Sequence, residues 1–341
     1  MTQTQRRVLL ARRPQGAPVP DDFRMDERPM PAAGEGEALV RTLWLSLDPY
    51  MRGRMSDAAS YAKSTAIGEP MTAECVGEVV ESCAKGLAKG DFVVGRGGWQ
   101  SHFVLPGKEL RKLDPQAAPL STALGVLGMP GHTAYAGLLA IGQPKAGETV
   151  VIGAASGAVG AVAGQIAKIK GCRVVGIAGG AEKCRYVTDE LGFDACLDRK
   201  EPNLAGRLKE ACPDGIDIYV ELTGGPVTDA VLPLLNFFAR IPVIGTIASY
   251  NATAAAEGTD RLPWLLRQTL VKRLTIKGMI VWDYADMADD FRRDVAGWIR
   301  DGRFKYREDV VDGLENAPEA FIGLLEGRNF GKLLVRVARE G

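Results

Sequence analysis

Short apolar runs broken by proline and glycine fill the first third of the chain. Val8–Ala11, Glu37–Leu45, Cys75–Glu81, Asp91–Val94 and Ser101–Leu105 have the apolar and β-branched character of strands. Pro14, Pro18, Pro20, Pro29, Pro31, Gly34, Gly36, Gly95, Gly97 and Gly98 punctuate them, which predicts a compact β barrel or sandwich. From about Pro119 the pattern changes. Thr149–Ile152, Arg173–Ala178, Ala195–Leu197, Ile216–Glu221, Ile241–Ile244 and Leu274–Ile280 read as strands. Val159–Lys170, Ala181–Leu191, Leu204–Ala211 and Val227–Phe237 read as the helices between them, with Asp289–Ile299 as a last helix. Alternating strands and helices, with the strands mostly uncharged, predict an α/β domain built on a parallel sheet covered on both faces. Lys305–Val311 and Lys332–Val337 return to strand character, so the tail is expected to pack back on the first third. The expected division is residues 1–118, 119–300 and a returning tail, 301–341.

Length agrees, since 341 residues correspond to roughly two domains. A hydrophobic share of 46% with 25% charged residues is ordinary globular usage and excludes collagen, coiled coil and disorder. Lys+Arg and Asp+Glu both number 42, and a chain without positive excess is a poor general binder of nucleic-acid backbones. Cys75, Cys83, Cys172, Cys184, Cys196 and Cys212 include no CxxC pair and none neighbours His102 or His132, which argues against a zinc site. Scattered cysteines read as packing residues of a reduced, cytoplasmic protein. Near the N-terminus Arg6, Arg7, Arg12 and Arg13 flank only the short apolar patch Val8–Ala11, too short for a signal-peptide core. Val150–Ala167 is an uncharged run of 18 residues at the lower edge of membrane-spanning length. Glycine and alanine dominate it, so it reads instead as a buried strand entering a buried helix through a glycine turn, and no membrane partner is expected.

That turn carries the first chemistry. Ala155-Ser156-Gly157-Ala158-Val159-Gly160 follows a strand and opens a helix, an A-x-G-x-x-G pattern with Ala155 in the place of the usual first glycine. Gly157 lets backbone approach a pyrophosphate, and Gly160 lets helix and strand pack closely. The helix N-terminus adds free N–H groups and a positive dipole end. In a βαβ setting this predicts dinucleotide binding. An NAD site needs an acid about 20 residues further on, to bind the ribose 2′-hydroxyl. Gly179 and Gly180 stand there, followed by Lys183 and, after the next strand, Arg199-Lys200. A missing acid with nearby cations favours the 2′-phosphate of NADP(H), although Glu182 is an available ribose acceptor.

Six separated motifs carry a resemblance over nearly the whole chain. They are Asp48-Pro49-Tyr50-Met51-Arg52, Gly128–Tyr135, Ala154–Gly160, Ile244–Asn251, Lys277–Tyr284 and Glu326–Lys332. Together they resemble the zinc-free medium-chain dehydrogenase/reductase superfamily, in its leukotriene/prostaglandin and alkenal double-bond reductase branch. The bacterial curcumin-reductase-like members look most similar. The resemblance implies a GroES-like catalytic β domain (1–118), an NADP-binding Rossmann domain (119–300), and a tail returning to the first. It implies cofactor contacts from Gly157, Ala158, Val159 and Gly160, from Lys183, and from Ile244, Gly245, Thr246, Ser249 and Tyr250. Met279, Ile280, Val281 and Asn329 are implied contacts as well. A homodimer through the Rossmann domains is also implied, with Leu274–Ile280 as its edge strand. Three positions depart from the family pattern. Arg199 stands where tyrosine is common beside the adenosine phosphate, and Leu222 where asparagine is common, leaving Thr223 as an alternative donor. His132 replaces a usual leucine, with a packing role expected.

Without zinc, a carbonyl oxygen must be polarised by hydrogen-bond donors. A tyrosine phenol, neutral below its ordinary pKa of ~10, is one. Tyr50 stands in a β-domain loop, and Tyr250 follows the segment that leaves the sheet at its carboxyl edge, where ligands bind. The two are expected to face one cleft. The reaction this suggests is 1,4-reduction of an enal or enone, with both phenols at the developing enolate oxygen. Trp282 and Tyr284 are candidates for a substrate wall or equally for ordinary core and interface aromatics. Quinone reduction and a non-catalytic NADP-binding role are the alternatives on the same scaffold.

Overall fold

The computed structural model describes residues 4–254 and 260–340. The N-terminal stretch supplies β1 (Thr4–Leu10), β2 (Phe23–Pro29), β3 (Glu37–Ser46), a one-turn helix α1 (Met51–Arg54), β4 (Cys75–Ser82), β5 (Phe92–Gly95), β6 (His102–Pro106) and β7 (Arg111–Leu113). The middle supplies α2 (Met129–Ala136), β8 (Thr149–Ile152), α3 (Gly160–Ile169), β9 (Arg173–Ala178), α4 (Ala181–Arg185), β10 (Ala195–Asp198), α5 (Leu204–Ala211), β11 (Ile216–Val220), α6 (Gly225–Val231), β12 (Leu235–Val243), α7 (Leu262–Lys272), β13 (Thr275–Gly278) and α8 (Ala288–Arg300). The tail supplies β14 (Glu308–Asp312), α9 (Ala317–Leu325) and β15 (Lys332–Arg336). Contacts divide the chain into two units. One runs to Gly125 and resumes at Glu308; the other is Val126–Arg307.

In the first unit β1 and β2 form an antiparallel ribbon, and a seven-stranded sheet runs β14-β15-β3-β4-β5-β7 with β6 also on β3. β6 pairs with Glu37–Arg41 and β15 with Trp44–Ser46, so the tail extends the same side of β3 that β6 begins. The pleat sends Ala38, Val40 and Leu45 into one core and Leu43 into another with Val76 and Leu334. Phe23 stacks on Trp99 with centroids 5.6 Å apart, and Phe321 of α9 meets Trp99 edge-on at 5.7 Å. The tail thus completes a core begun by Phe23, each large side chain contributing about 1.5–3 kcal/mol by burial. Lys332 at the head of β15 donates to Leu47 O at 2.9 Å and to Asp48 Oδ1 at 2.6 Å, both charges buried. A buried ammonium requires such a partner.

The second unit holds a six-stranded parallel sheet in the order β10-β9-β8-β11-β12-β13, the doubly wound Rossmann arrangement. Its strands are apolar on both faces because both faces are covered. Val150 and Ile152 of β8 join Val162 and Ile166 of α3, while Val151 turns to the opposite face with Leu208 of α5 and Val231 of α6. The run Val150–Ala167 is therefore strand, turn and helix, and among the described residues no helix is long and apolar enough to cross a membrane.

The expected helix Val227–Phe237 stops early: α6 ends at Val231, and β12 already begins at Leu235. Pro233 has no N–H to continue the helical ladder. Leu235, Ala239 and Ile241 are buried on the sheet face, whereas Phe237 and Phe238 lie exposed at a bulge, Phe238 with φ of +61°. The sequence pattern does not predict helices α1, α2, α7 and α9 or strands β2 and β7. In α7 the large apolar residues Leu262, Leu266 and Leu270 point outward, so no core-facing period marks it.

Candidate functional site

Strand β8 ends at Ile152, and the chain turns through Gly153–Val159 into α3. The left-handed residue is Ala154, with φ of +47°. A non-glycine residue there costs about 1 kcal/mol or more. Ala155, in the first-glycine place, needs no such conformation; it is buried and donates its N–H to Ile177 O at 3.0 Å. Gly160 is the crowded position: a Cβ there would lie 2.4 Å from Ala154 O and 3.0 Å from Ala155 Cα. At Gly157 a Cβ would meet only Ala154 O, at 3.1 Å. No acidic side chain stands in the first turn of α3, so its N-terminal field is available to an anion.

The ends of the neighbouring strands gather around this turn. β9 runs out at Ala178 into Gly179-Gly180 with no acid, and the Arg199 guanidinium lies over Gly179, its Nε 3.3 Å from where a Cβ would stand. Asp198 is turned to backbone instead, accepting from Gly180 N at 2.8 Å and Lys200 N at 2.9 Å. Burial works against its charged form, yet those N–H groups hold its pKa below the ordinary value. Lys183 sits half-buried in α4. The structure therefore brings Arg199, from the end of β10, to the end of β9, where the 2′-substituent of an adenosine ribose is expected.

Beyond β12, Ile244 and Gly245 donate to Glu221 O at 3.0 and 3.2 Å, Ala248 donates to Thr223 O at 2.9 Å, and Ser249 Oγ donates to Thr246 O at 2.8 Å. The Tyr250 hydroxyl folds back to 3.1 Å from where a Gly245 Cβ would stand. Met279 donates to Val243 O at 3.0 Å and is buried with Ala136 and Ile141, with Val281 against them, while Ile280 links Met279 to the turn Val281–Met287. Leu222 packs against the α3 side of the core. The Thr223 hydroxyl faces Glu221 Oε1 at 3.4 Å and Tyr219 OH at 3.5 Å, in the interior. Glu221, not singled out as a site residue from the sequence, is buried and accepts from five donors. The one trace of it in sequence is a carboxylate closing an apolar strand.

Tyr50 and Asn329 belong to the first unit, the other candidates to the Rossmann unit. Tyr50 caps α1 and is half-buried against the main core, with the Arg54 guanidinium 5.7 Å from its ring centroid and 4.4 Å from that of Tyr61. Burial, reinforced by the Asp48 and Glu74 carboxylates, pushes the Tyr50 phenol well above its ordinary pKa of 10.0. Burial beside Asp48 also raises Glu74. Asn329 Nδ2 donates to Gly331 O at 2.9 Å, just before β15. His132 stacks on Phe291 at 5.3 Å, a packing contact. Among the described residues no three His, Cys, Asp or Glu side chains gather as a metal-ligand set.

Residues 6–113 match the family described as "N-terminal domain of oxidoreductase", and residues 158–297 the family described as "Zinc-binding dehydrogenase". The chain is 55% identical over 339 residues to the NADPH-dependent curcumin reductase of Escherichia coli (strain K12), covering 99% of this chain and 98% of that protein. It is 44% identical over 310 residues to the 2-alkenal reductase (NADP(+)-dependent) of Nicotiana tabacum, covering 90% and 89%. The crystal structure of CurA in complex with NADPH from Vibrio vulnificus superimposes with a TM-score of 0.96 at 50% identity, over 98% of this chain and 100% of that one. The chain belongs to the medium-chain dehydrogenase/reductase superfamily, and within it to the zinc-free, curcumin-reductase-like branch. Its units are accordingly a GroES-like β unit and a Rossmann unit.

Proposed function

We propose that this chain uses NADPH to reduce the carbon–carbon double bond of α,β-unsaturated aldehydes and ketones, with Tyr50 and Tyr250 as donors to the carbonyl oxygen. At the coarser level the protein is an NADP-dependent oxidoreductase acting on carbon–carbon double bonds, in line with the relatives named above. The residues present fit the cofactor. Gly157 and Gly160 leave room for a pyrophosphate at the acid-free N-terminus of α3, and Arg199 with Lys183 suits a 2′-phosphate. Gly245–Tyr250, Met279–Val281 and Asn329 would complete its binding.

When bound, NADPH would supply the hydride to the β-carbon of the enone, and the resulting enolate would take a proton at its α-carbon from water or a tyrosine hydroxyl. The chain's own part is to hold donors where negative charge gathers on oxygen. One observation carries this reading: the turn into α3 is open at Gly157, closely packed at Gly160 and free of acids, with the Arg199 guanidinium over Gly179, a seat that suits NADPH, while Tyr50, capping α1, is the first phenol donor. Tyr250, keyed to Gly245, supplies the second phenol. We further propose that the protein works as a homodimer through β13, an edge strand exposed along its length and flanked by exposed Phe237, Leu270 and Val271.

The test is NADPH oxidation over an enal, an enone and a small quinone, with the wild type, Tyr50→Phe and Tyr250→Phe. Each variant is expected to lose about 10²-fold in kcat on the enone. Turnover restricted to the quinone would overturn the substrate class, and unchanged enone turnover in Tyr50→Phe would overturn its role.

A further inference from the structure

We propose that Glu221 is a positioning residue: its carboxylate fixes the turn after β11 and, through that turn, the Ile244–Tyr250 loop that carries cofactor contacts. The proposal rests on the NADPH reading above. Glu221 Oε1 accepts from Thr223 N at 2.8 Å, Gly224 N at 2.9 Å and Tyr219 OH at 3.0 Å, while Oε2 accepts from the Thr228 hydroxyl. One side chain thus ties strand β11, the turn after it and helix α6 together. The main chain from Glu221 to Thr223 holds the second loop: Glu221 O accepts from Ile244 and Gly245, Leu222 O from Ile247, and Thr223 O from Ala248. The Thr223 side chain, fixed by the carboxylate, also closes on Gly153 at the entry to the phosphate turn, its Oγ1 2.9 Å from where a Gly153 Cβ would stand.

A bare core position would favour an apolar residue, because a carboxylate loses its hydration on burial. Here the charge is the acceptor that lets two consecutive turn N–H groups point inward without water. Thr223 and Gly224 then keep the conformation in which Thr223 O meets Ala248. That bond sets the Gly245–Tyr250 loop and, through Gly245, the Tyr250 hydroxyl. Glu221 therefore acts on NADPH affinity and on turnover together, with no contact of its own to either reactant.

Glu221→Leu, similar in size, removes every acceptor. Glu221→Gln keeps its oxygen on Thr223 and Gly224 and offers its NH₂ to the Thr228 hydroxyl, which can turn to accept. Well below the melting temperature, Glu221→Leu is expected to weaken NADPH binding and to lower kcat on an enone by about tenfold or more each. Glu221→Gln should stay within about threefold of the wild type. Amide exchange of the ligand-free protein should quicken at 222–225 and 244–250 in Glu221→Leu and stay unchanged across β8 and β9. Wild-type kinetics in Glu221→Leu, or a uniform rise in exchange with equal losses in both variants, would overturn the proposal. If Glu221→Leu does not fold, Thr228→Val replaces it, with about a threefold rise in KM for NADPH expected and no change counting against the proposal. A wild-type protein that neither binds nor oxidises NADPH would sink the function itself. The exchange measurement, which needs no cofactor, keeps the two failures apart.

Discussion

Gly160→Ala tests the phosphate turn at its tightest point. The new methyl would sit 2.4 Å from Ala154 O and 3.0 Å from both Ala154 C and Ala155 Cα, where ordinary contact begins at 3.4 Å. All three are backbone atoms, so no side chain can swing away, and α3 must part from the turn by about 1 Å. That shift drags Val162, Ala163 and Ile166 off the sheet. Overpacking of this kind costs about 1–3 kcal/mol, and the better helix propensity of alanine returns about 1 kcal/mol of it. The expected outcome is a melting temperature lower by a few degrees, at about 2–4 °C per kcal/mol for a unit of this size. NADPH affinity should fall by about tenfold or more, because the N–H groups of α3 move with the helix. Gly157→Ala is the control. Its methyl meets only Ala154 O, at 3.1 Å, so folding should be nearly unchanged while the methyl occupies the approach of the pyrophosphate. Circular-dichroism melts and NADPH fluorescence titrations of both variants decide the matter. A Gly160→Ala protein that melts and binds like the wild type would refute this account of the turn.

Arg199→Ala and Lys183→Ala should each raise KM for NADPH by about 10- to 100-fold and leave KM for NADH unchanged, since only the 2′-phosphate is lost as a partner. An equal loss with both cofactors would place these cations elsewhere. Because burial beside Asp48 and Glu74 raises the Tyr50 pKa above 10.0, its phenol stays a donor on the basic side, and kcat on an enone should show no Tyr50-dependent fall between pH 7 and 10. The folded state then binds a proton that the unfolded chain releases, so stability should fall as pH rises past 10.0, and less steeply in Tyr50→Phe. Urea unfolding at pH 8 and above pH 10 reads this, with identical slopes counting against it. Leu270 is 77% exposed, so Leu270→Glu should cost the single chain little and yield monomers in sedimentation, whereas an intact dimer would exclude this face.

Local signals in the chain are those that act over a few residues, and they determined a good deal. Val150, Val151 and Ile152 form an uncharged strand because both faces of the sheet are covered, and Gly160 marks the turn because backbone crowding there disfavours a side chain, while Gly157 leaves the approach to the turn open. The missing acid at Gly179-Gly180 was equally plain. Tertiary structure decided the partners. Arg199 reaches Gly179 only because β10 lies beside β9, and Lys332 finds Asp48 across 284 positions only because β15 returns to β3. Glu221 shows the limit best: in sequence it is one acid after Val220, and its role comes from five donors on β11, the following turn and α6 that converge once the chain has folded. Periodicity and turn chemistry are properties of neighbours along the chain, whereas the fate of a buried charge depends on which distant donors the sheet order brings to it.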